Sequence, residues 1–226
     1  MQLALSKKYS VLKSVKSRYF IVTGGRGSGK SFAINTLLLM LTYEAGHNIL
    51  FTRYTLRAAS ISIIPEFIEK LDLLDVAHNF KIKRDEIINK HNGSKIIFRG
   101  IKTSSGDQTA NLKSLTGITT WVMDEAEELN DENIFDKIDL SVRTKDKDNR
   151  IILILNPTTK EHFIYQRWFE SKGVDAGSNT TKTDTTYIHS TYLDNIENLS
   201  ESYINQIEQM KVRRPERFKH TIEGAW

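Results

Sequence analysis

The sequence has no cysteine, which excludes a disulfide framework and any thiolate metal site. It also has no long hydrophobic run. The longest, Phe32 to Tyr43, is interrupted by Asn35 and Thr36 and is too short to span a bilayer. The amino-terminal stretch MQLALSKKYS lacks the apolar core and small-residue cleavage site of a signal peptide. No internal repeat is visible. Charge of one sign is scarce: the net charge is +4 and the pI about 9.1. A balance this mild points to a polyanion only where basic residues cluster locally. These absences read as a soluble intracellular protein. What remains is ordinary: 226 residues, 39% hydrophobic and 27% charged, enough for a buried core in one large domain, with or without a small appendage.

The order of patterns carries the fold. Arg18 to Thr23 (RYFIVT) reads as a short buried strand, and GGRGSGKS follows directly. Phe32 to Glu44 reads as a helix and Asn48 to Arg53 (NILFTR) as a second strand, which completes a βαβ unit. Leu56 to Leu74 reads as helical, with Pro65 as a kink or break. Asn92-Gly93, between Glu86–Lys90 and Ser94–Arg99, predicts a hairpin. Thr103 to Leu115 reads as a polar loop. Ile118 to Met123 is a strand ending in Asp124-Glu125. Asp131 to Val142 is a helix capped by Asn130 or Asp131. Arg150 to Leu155 is a fully buried strand stopped by Asn156-Pro157, and Glu161 to Phe169 is a helix. Ser171 to Thr186, rich in Gly, Ser, Thr, Asn and Asp, reads as a flexible segment. A last strand over Tyr187 to Thr191 and helices over Ser200–Lys211 and Pro215–Thr221 close the chain. The expected class is α/β, a mostly parallel central sheet flanked by helices. The expected division is a core over about 1–170, the flexible segment over 171–186, and the last strand and carboxy-terminal helices over 187–226.

Gly24-Gly25-Arg26-Gly27-Ser28-Gly29-Lys30-Ser31 matches the phosphate-binding loop G-x-x-x-x-G-K-[ST], in the strand-to-helix setting that the motif requires. Its glycines let backbone N–H groups turn toward a phosphate, and the helix behind it adds a positive dipole end. Lys30 is expected to reach the β- and γ-phosphates of ATP, and Ser31 to ligate magnesium. Arg26 either touches the γ-phosphate, contacts a neighbouring subunit or is solvated. Asp124 is expected to hold the metal and Glu125 to orient and deprotonate the attacking water, rather than merely to cap a helix. Glu127 and Glu128 read as helix-face residues. Asn156 either senses the γ-phosphate, helps position the water, or marks a plain turn. Arg143 and Arg53 are candidates for an arginine acting on a neighbour's site. Arg213, Arg214, Arg217 and Lys219 form a basic cluster that either meets DNA phosphate or is simply solvated.

In this order, GGRGSGKS, FTRYTLRAAS, NGSKIIFRG, WVMDEAEEL, DLSVRT, ILNP and the closing EGAW resemble the ATPase half of the large terminase subunit of tailed bacteriophages. The resemblance implies a P-loop domain of the additional-strand, catalytic-glutamate type with a small lid subdomain near the carboxy-terminal helices. It implies a magnesium-dependent ATPase that drives double-stranded DNA into a procapsid. Its partners would be the portal protein and the small terminase subunit. It would work in the host cytoplasm, as a ring when assembled and a monomer in isolation. Asn156 would fall in the family's coupling motif, and Arg143 would correspond to the arginine proposed to act in trans. Lys7 to Tyr19 would lie near the adenine. The nuclease domain that normally follows is not expected within these residues, and neither is DNA cleavage. A helicase-like or recombinase-like ATPase, or a nucleotide-dependent binding switch with little turnover, are the competing readings.

Overall fold

The computed structural model describes residues 5–55, 57, 63–103, 106–107 and 116–226. In chain order its elements begin with α1 (Val11–Ser14), β1 (Tyr19–Gly24), α2 (Lys30–Thr42), β2 (Asn48–Thr55) and α3 (Ile64–Leu73). Strands β3 (Phe80–Ile82), β4 (Glu86–Asn89), β5 (Lys95–Thr103), β6 (Gly106–Asp107) and β7 (Thr120–Asp124) follow. The chain continues with α4 (Glu132–Asp139), β8 (Arg150–Leu155), β9 (Thr180–Lys182), β10 (Thr185–Ser190), α5 (Glu201–Arg213) and α6 (Pro215–Phe218).

The middle strands are mostly apolar on successive residues, not alternating, because both faces are covered. Side chains alternate across the sheet, so each strand feeds two cores. Phe20, Val22, Phe51, Phe98, Val122, Ile152 and Ile154 pack on one face with α2 and α3. Ile21, Leu50, Trp121, Met123, Ile151 and Leu153 pack on the other, with Phe135 of α4 and with Trp168. Helix α2 buries residues on nearly all sides, from Ala33 to Thr42, because it lies between the sheet and α3.

Among the described residues the strands form one sheet, in the order β3-β4-β5-β2-β7-β8-β1-β10-β9, with β6 beside β5. The six strands from β5 to β10 in that order are parallel. Their carboxy-terminal ends therefore share one edge. Register sets Asp124 opposite Ile154, Thr23 opposite Leu155 and Gly24 opposite Ser190 along that edge. The predicted Asn-Gly hairpin is present as the antiparallel pair β4–β5.

Pro65, read as a kink or a break, lies in the first turn of α3, where its missing N–H costs nothing; residues 56 and 58–62 of that stretch lie outside the described residues. The loop expected over 103–115 lies almost wholly outside them as well. The polar stretch 171–186 holds a hairpin: β9 pairs antiparallel with β10 at the sheet edge. All three residues of β9 are exposed, so its threonines and lysine need no apolar pattern. The helix expected over 161–169 is present over 163–170, with π-type hydrogen bonding from Tyr165 to Glu170.

Beyond β10, a third and smaller apolar cluster forms around Tyr192, Ile207, Phe218 and Ile222. It belongs to α5, α6 and the turns flanking them, where the lid was expected.

Candidate active site

Strand β1 delivers the glycine loop to the shared edge, between β8 on one side and β10 on the other. The loop is held tightly. Gly29 takes a left-handed backbone (φ 74, ψ 12) immediately before α2, a conformation that glycine adopts without strain. Gly25 meets the carboxy-terminal segment so closely that an added Cβ would lie 1.8 Å from the carbonyl oxygen of Ile222. Beside it, the Arg26 N–H donates to the Thr221 carbonyl (2.9 Å), while the Arg26 side chain is exposed. Asn195 Nδ2 donates to the Gly27 carbonyl (3.0 Å). Gly25→Ala is expected to cost about 1–3 kcal/mol by overpacking this contact. Chemical denaturation measures it, and a cost below a few tenths of a kcal/mol would contradict the close approach.

Lys30 lies against the loop and is buried. Its Nζ donates to the carbonyls of Gly24 (2.8 Å) and Gly25 (2.9 Å), to Ser28 Oγ (3.1 Å) and to Asn156 Oδ1 (3.1 Å). Burial pulls its ammonium down to about 8, against the charges of Glu127 and Asp124, which hold it up.

The two acids at the end of β7 face the same cleft. Asp124 is nearly inaccessible and its Oδ2 accepts from Arg53 Nε (2.9 Å). Arg53 Nη2 pairs with Glu125 Oε1 (2.7 Å). Arg53 was a candidate for a neighbour's site, but β2 runs beside β7, so its guanidinium is committed to its own chain's acids. Glu125 takes a left-handed backbone (φ 52, ψ 48) as the chain leaves the strand. Burial pushes its carboxyl above the usual range; Asp124 and Glu128 add to this, while Arg53 opposes it. Together the loop, Arg53, Asp124, Glu125, Asn156 and Glu66 line a cleft of about 450 Å³.

Asn156 is brought in because β8 lies directly beside β1. Its Nδ2 donates to Glu127 Oε1 (3.2 Å). Glu127 was read as a helix-face residue, and the structure overturns this. A tight 3-10 turn over Ala126–Glu128 follows the strand, α4 begins only at Glu132, and Glu127 Oε2 is buried. Burial lifts its carboxyl to about 7, partly offset by the N–H groups of Glu127 and Asn156. A raised carboxyl binds its proton more tightly in the folded chain than in the unfolded one. Its contribution to stability therefore grows as pH falls from above 7 to about 4.5. Glu127→Gln is expected to flatten that part of the stability curve, which urea titrations across pH would read.

Arg143 is not in this cleft. Arg18 donates to the Val142 carbonyl (2.9 Å) and Thr144 Oγ1 to the Ile118 carbonyl (2.8 Å), just ahead of β1 and β7. Exposed Arg143 thus sits at the opposite edge of the sheet from its own glycine loop, about 15–20 Å away by strand rise. The basic side chains of Arg213, Arg214, Arg217 and Lys219 are exposed. A small cavity of about 160 Å³ lies between the amino-terminal segment and the loop, lined by Tyr9, Gly29 and Asn195 among others.

For magnesium, the oxygen donors fit. Ser31 lies in the first turn of α2 on the cleft wall, and Asp124 offers a carboxylate of which Arg53 takes Oδ2. No group of three or more His, Cys, Asp or Glu that could hold a metal occurs among the described residues. A hard cation held by two protein oxygens, water and phosphate needs none.

A glycine loop joining β1 to α2, acids at the end of β7 and one strand, β8, between β1 and β7 define a P-loop nucleotide triphosphatase fold of the additional-strand type. The chain belongs to the phage terminase large subunit family, whose model matches residues 16–225. It is 25% identical over 227 residues to the terminase large subunit of Bacillus phage SPP1, covering 96% of this chain and 50% of that one. It is 26% identical over 221 residues to the PBSX phage terminase large subunit of Bacillus subtilis, covering 92% and 49%. The chain thus spans about half the length of these curated relatives. Among solved structures, a large terminase from a thermophilic bacteriophage, in complex with ADP, shares the fold with a TM-score of 0.74 at 14% identity, covering 99% of this chain and 54% of that one. The large terminase ATPase domain of Thermus phage P74-26 matches with a TM-score of 0.67 at 17% identity, covering 100% and 94%. No described helix is long and apolar enough to cross a membrane.

Proposed function

We propose that residues 1–226 are the ATPase motor part of a terminase large subunit, coupling ATP hydrolysis to movement of double-stranded DNA. The observation that carries this reading is the pair Asp124 and Glu125, set side by side at the cleft edge by Arg53. One carboxylate for a metal and a second for water is what a hydrolase needs beyond a nucleotide binder. Magnesium, when bound by Ser31 and Asp124, neutralises charge on the phosphates. Lys30 binds and orients the β- and γ-phosphates. Glu125 takes a proton from water as its oxygen bonds to the γ-phosphorus, and the bond to the β-phosphate oxygen breaks, leaving ADP and phosphate. Lys7 to Tyr19 and the small cavity behind the loop take the adenine.

The partners are proposed on family grounds: duplex DNA, the portal protein and the small terminase subunit, in the host cytoplasm at the procapsid. Contact with DNA phosphate through the exposed arginines makes binding independent of sequence and strongly salt-dependent. Arg143, far from its own loop, acts in a neighbour's site when the chains form a ring. Specific activity is then expected to rise with protein concentration, and Arg143→Ala to remove that rise while sparing ATP binding. Phosphate release measured over a concentration series tests this; a flat specific activity in both proteins would sink the trans assignment.

A further inference from the structure

The amide of Asn156 lies between two groups of opposite character. Lys30 Nζ, which can only donate, is 3.1 Å from Oδ1. The Glu127 carboxylate, which when ionised can only accept, is 3.2 Å from Nδ2. Only one orientation of the amide satisfies both neighbours. Flipping it would set NH2 against the ammonium and a carbonyl oxygen against the carboxylate. Glu127 is itself anchored. Ala126 and Leu129 on either side of it are buried, and the Leu129 N–H closes the turn onto the Ala126 carbonyl (3.2 Å). Its Oε2 is buried, so the carboxylate is not a solvated surface charge.

We propose that Glu127 is a positioning residue that locks the Asn156 amide with its oxygen, not its nitrogen, toward the phosphate site. The inference deepens the ATPase reading and, for its effect on turnover, rests on it. Its chemical consequence is specific. An amide held this way turns its oxygen and not its NH2 toward Lys30, so Asn156 meets the phosphate site as an acceptor. It accepts from the Lys30 ammonium or from a water hydrogen. When Lys30 turns to the phosphates, Oδ1 is left as an acceptor beside the cleft, able to orient the attacking water. Asn156 thus registers nucleotide through Lys30, and Glu127 keeps it in the orientation that makes this possible.

The test uses the 226-residue protein, with the Asn156 side-chain NH2 resonances followed by NMR. Spectra are taken with and without a non-hydrolysable ATP analogue and magnesium, alongside ATP affinity, phosphate release and melting temperature. Glu127→Ala is expected to move the Asn156 NH2 pair, lower kcat at least tenfold and change ATP affinity less than threefold. Glu127→Gln keeps an acceptor oxygen, and is expected to restore both the resonances and kcat to within threefold of wild type. The proposal is overturned if Glu127→Ala leaves the Asn156 resonances unchanged, or if Glu127→Gln fails to restore them while folding normally. The resonances decide the inference even if wild type releases no phosphate. In that case the ATPase reading fails and the locked amide is judged alone.

Discussion

Lys30→Ala is expected to reduce ATP affinity by at least two orders of magnitude. The ammonium offers charge-assisted hydrogen bonds to phosphate, each worth about 1.5–3 kcal/mol, so losing two of them removes roughly 3–6 kcal/mol. The same substitution acts on the free protein. Lys30 Nζ donates to the carbonyls of Gly24 and Gly25, which lose that donor when it is removed. A modest fall in melting temperature should therefore accompany the loss of binding. Lys30→Met, which keeps much of the buried stem, separates packing from charge. The depressed pKa of about 8 adds a pH signature. Below it Lys30 is cationic and binds phosphate; above it the charge is lost, and affinity falls by up to one decade per pH unit. Titration calorimetry with a magnesium–nucleotide complex between pH 7 and 10 reads both effects. Unchanged affinity in Lys30→Ala would remove the phosphate loop from the account.

Glu125→Gln is expected to show the opposite split, with ATP bound normally and turnover reduced about 10²–10⁴-fold, the usual contribution of a positioned general base. The residue lies on the cleft wall and brings a carboxylate, not a phosphate-binding donor, so binding has little to lose. Its partner Arg53 still has Asp124 to hold. The backbone offers an internal control. Glu125 occupies a left-handed conformation, which costs a non-glycine residue about 1–3 kcal/mol. Glu125→Gly should thus be at least as stable as Glu125→Gln while equally inactive. A melting temperature for Glu125→Gly well below that of the glutamine variant would contradict the strain argument.

The parts legible in the sequence were those whose signal is local. The glycine loop, its lysine and the strand ending in Asp124-Glu125 are short motifs whose spacing dictates their geometry. The parts that were not legible depend on which strands are neighbours. Arg53 reads as a candidate for a neighbour's site until β2 is seen to lie against β7, with Thr52 opposite Met123. Glu127 looks like the start of a helix because EAEEL is rich in helix formers. The chain makes a 3-10 turn there instead, since Ala126 and Leu129 are drawn into the core beneath it. The stretch 171–186 concealed its hairpin because an exposed edge strand needs no hydrophobic alternation. Thr183 at the turn has positive φ without the glycine that would have announced it.

The central claim is that this chain breaks down ATP with Glu125. The most direct measurement is magnesium-dependent phosphate release by wild type and Glu125→Gln, at saturating ATP and matched high protein concentration, with bound nucleotide quantified in the same samples. The account predicts steady release by wild type and a loss of two orders of magnitude or more in the variant at equal nucleotide occupancy. Equal release from both proteins would contradict it.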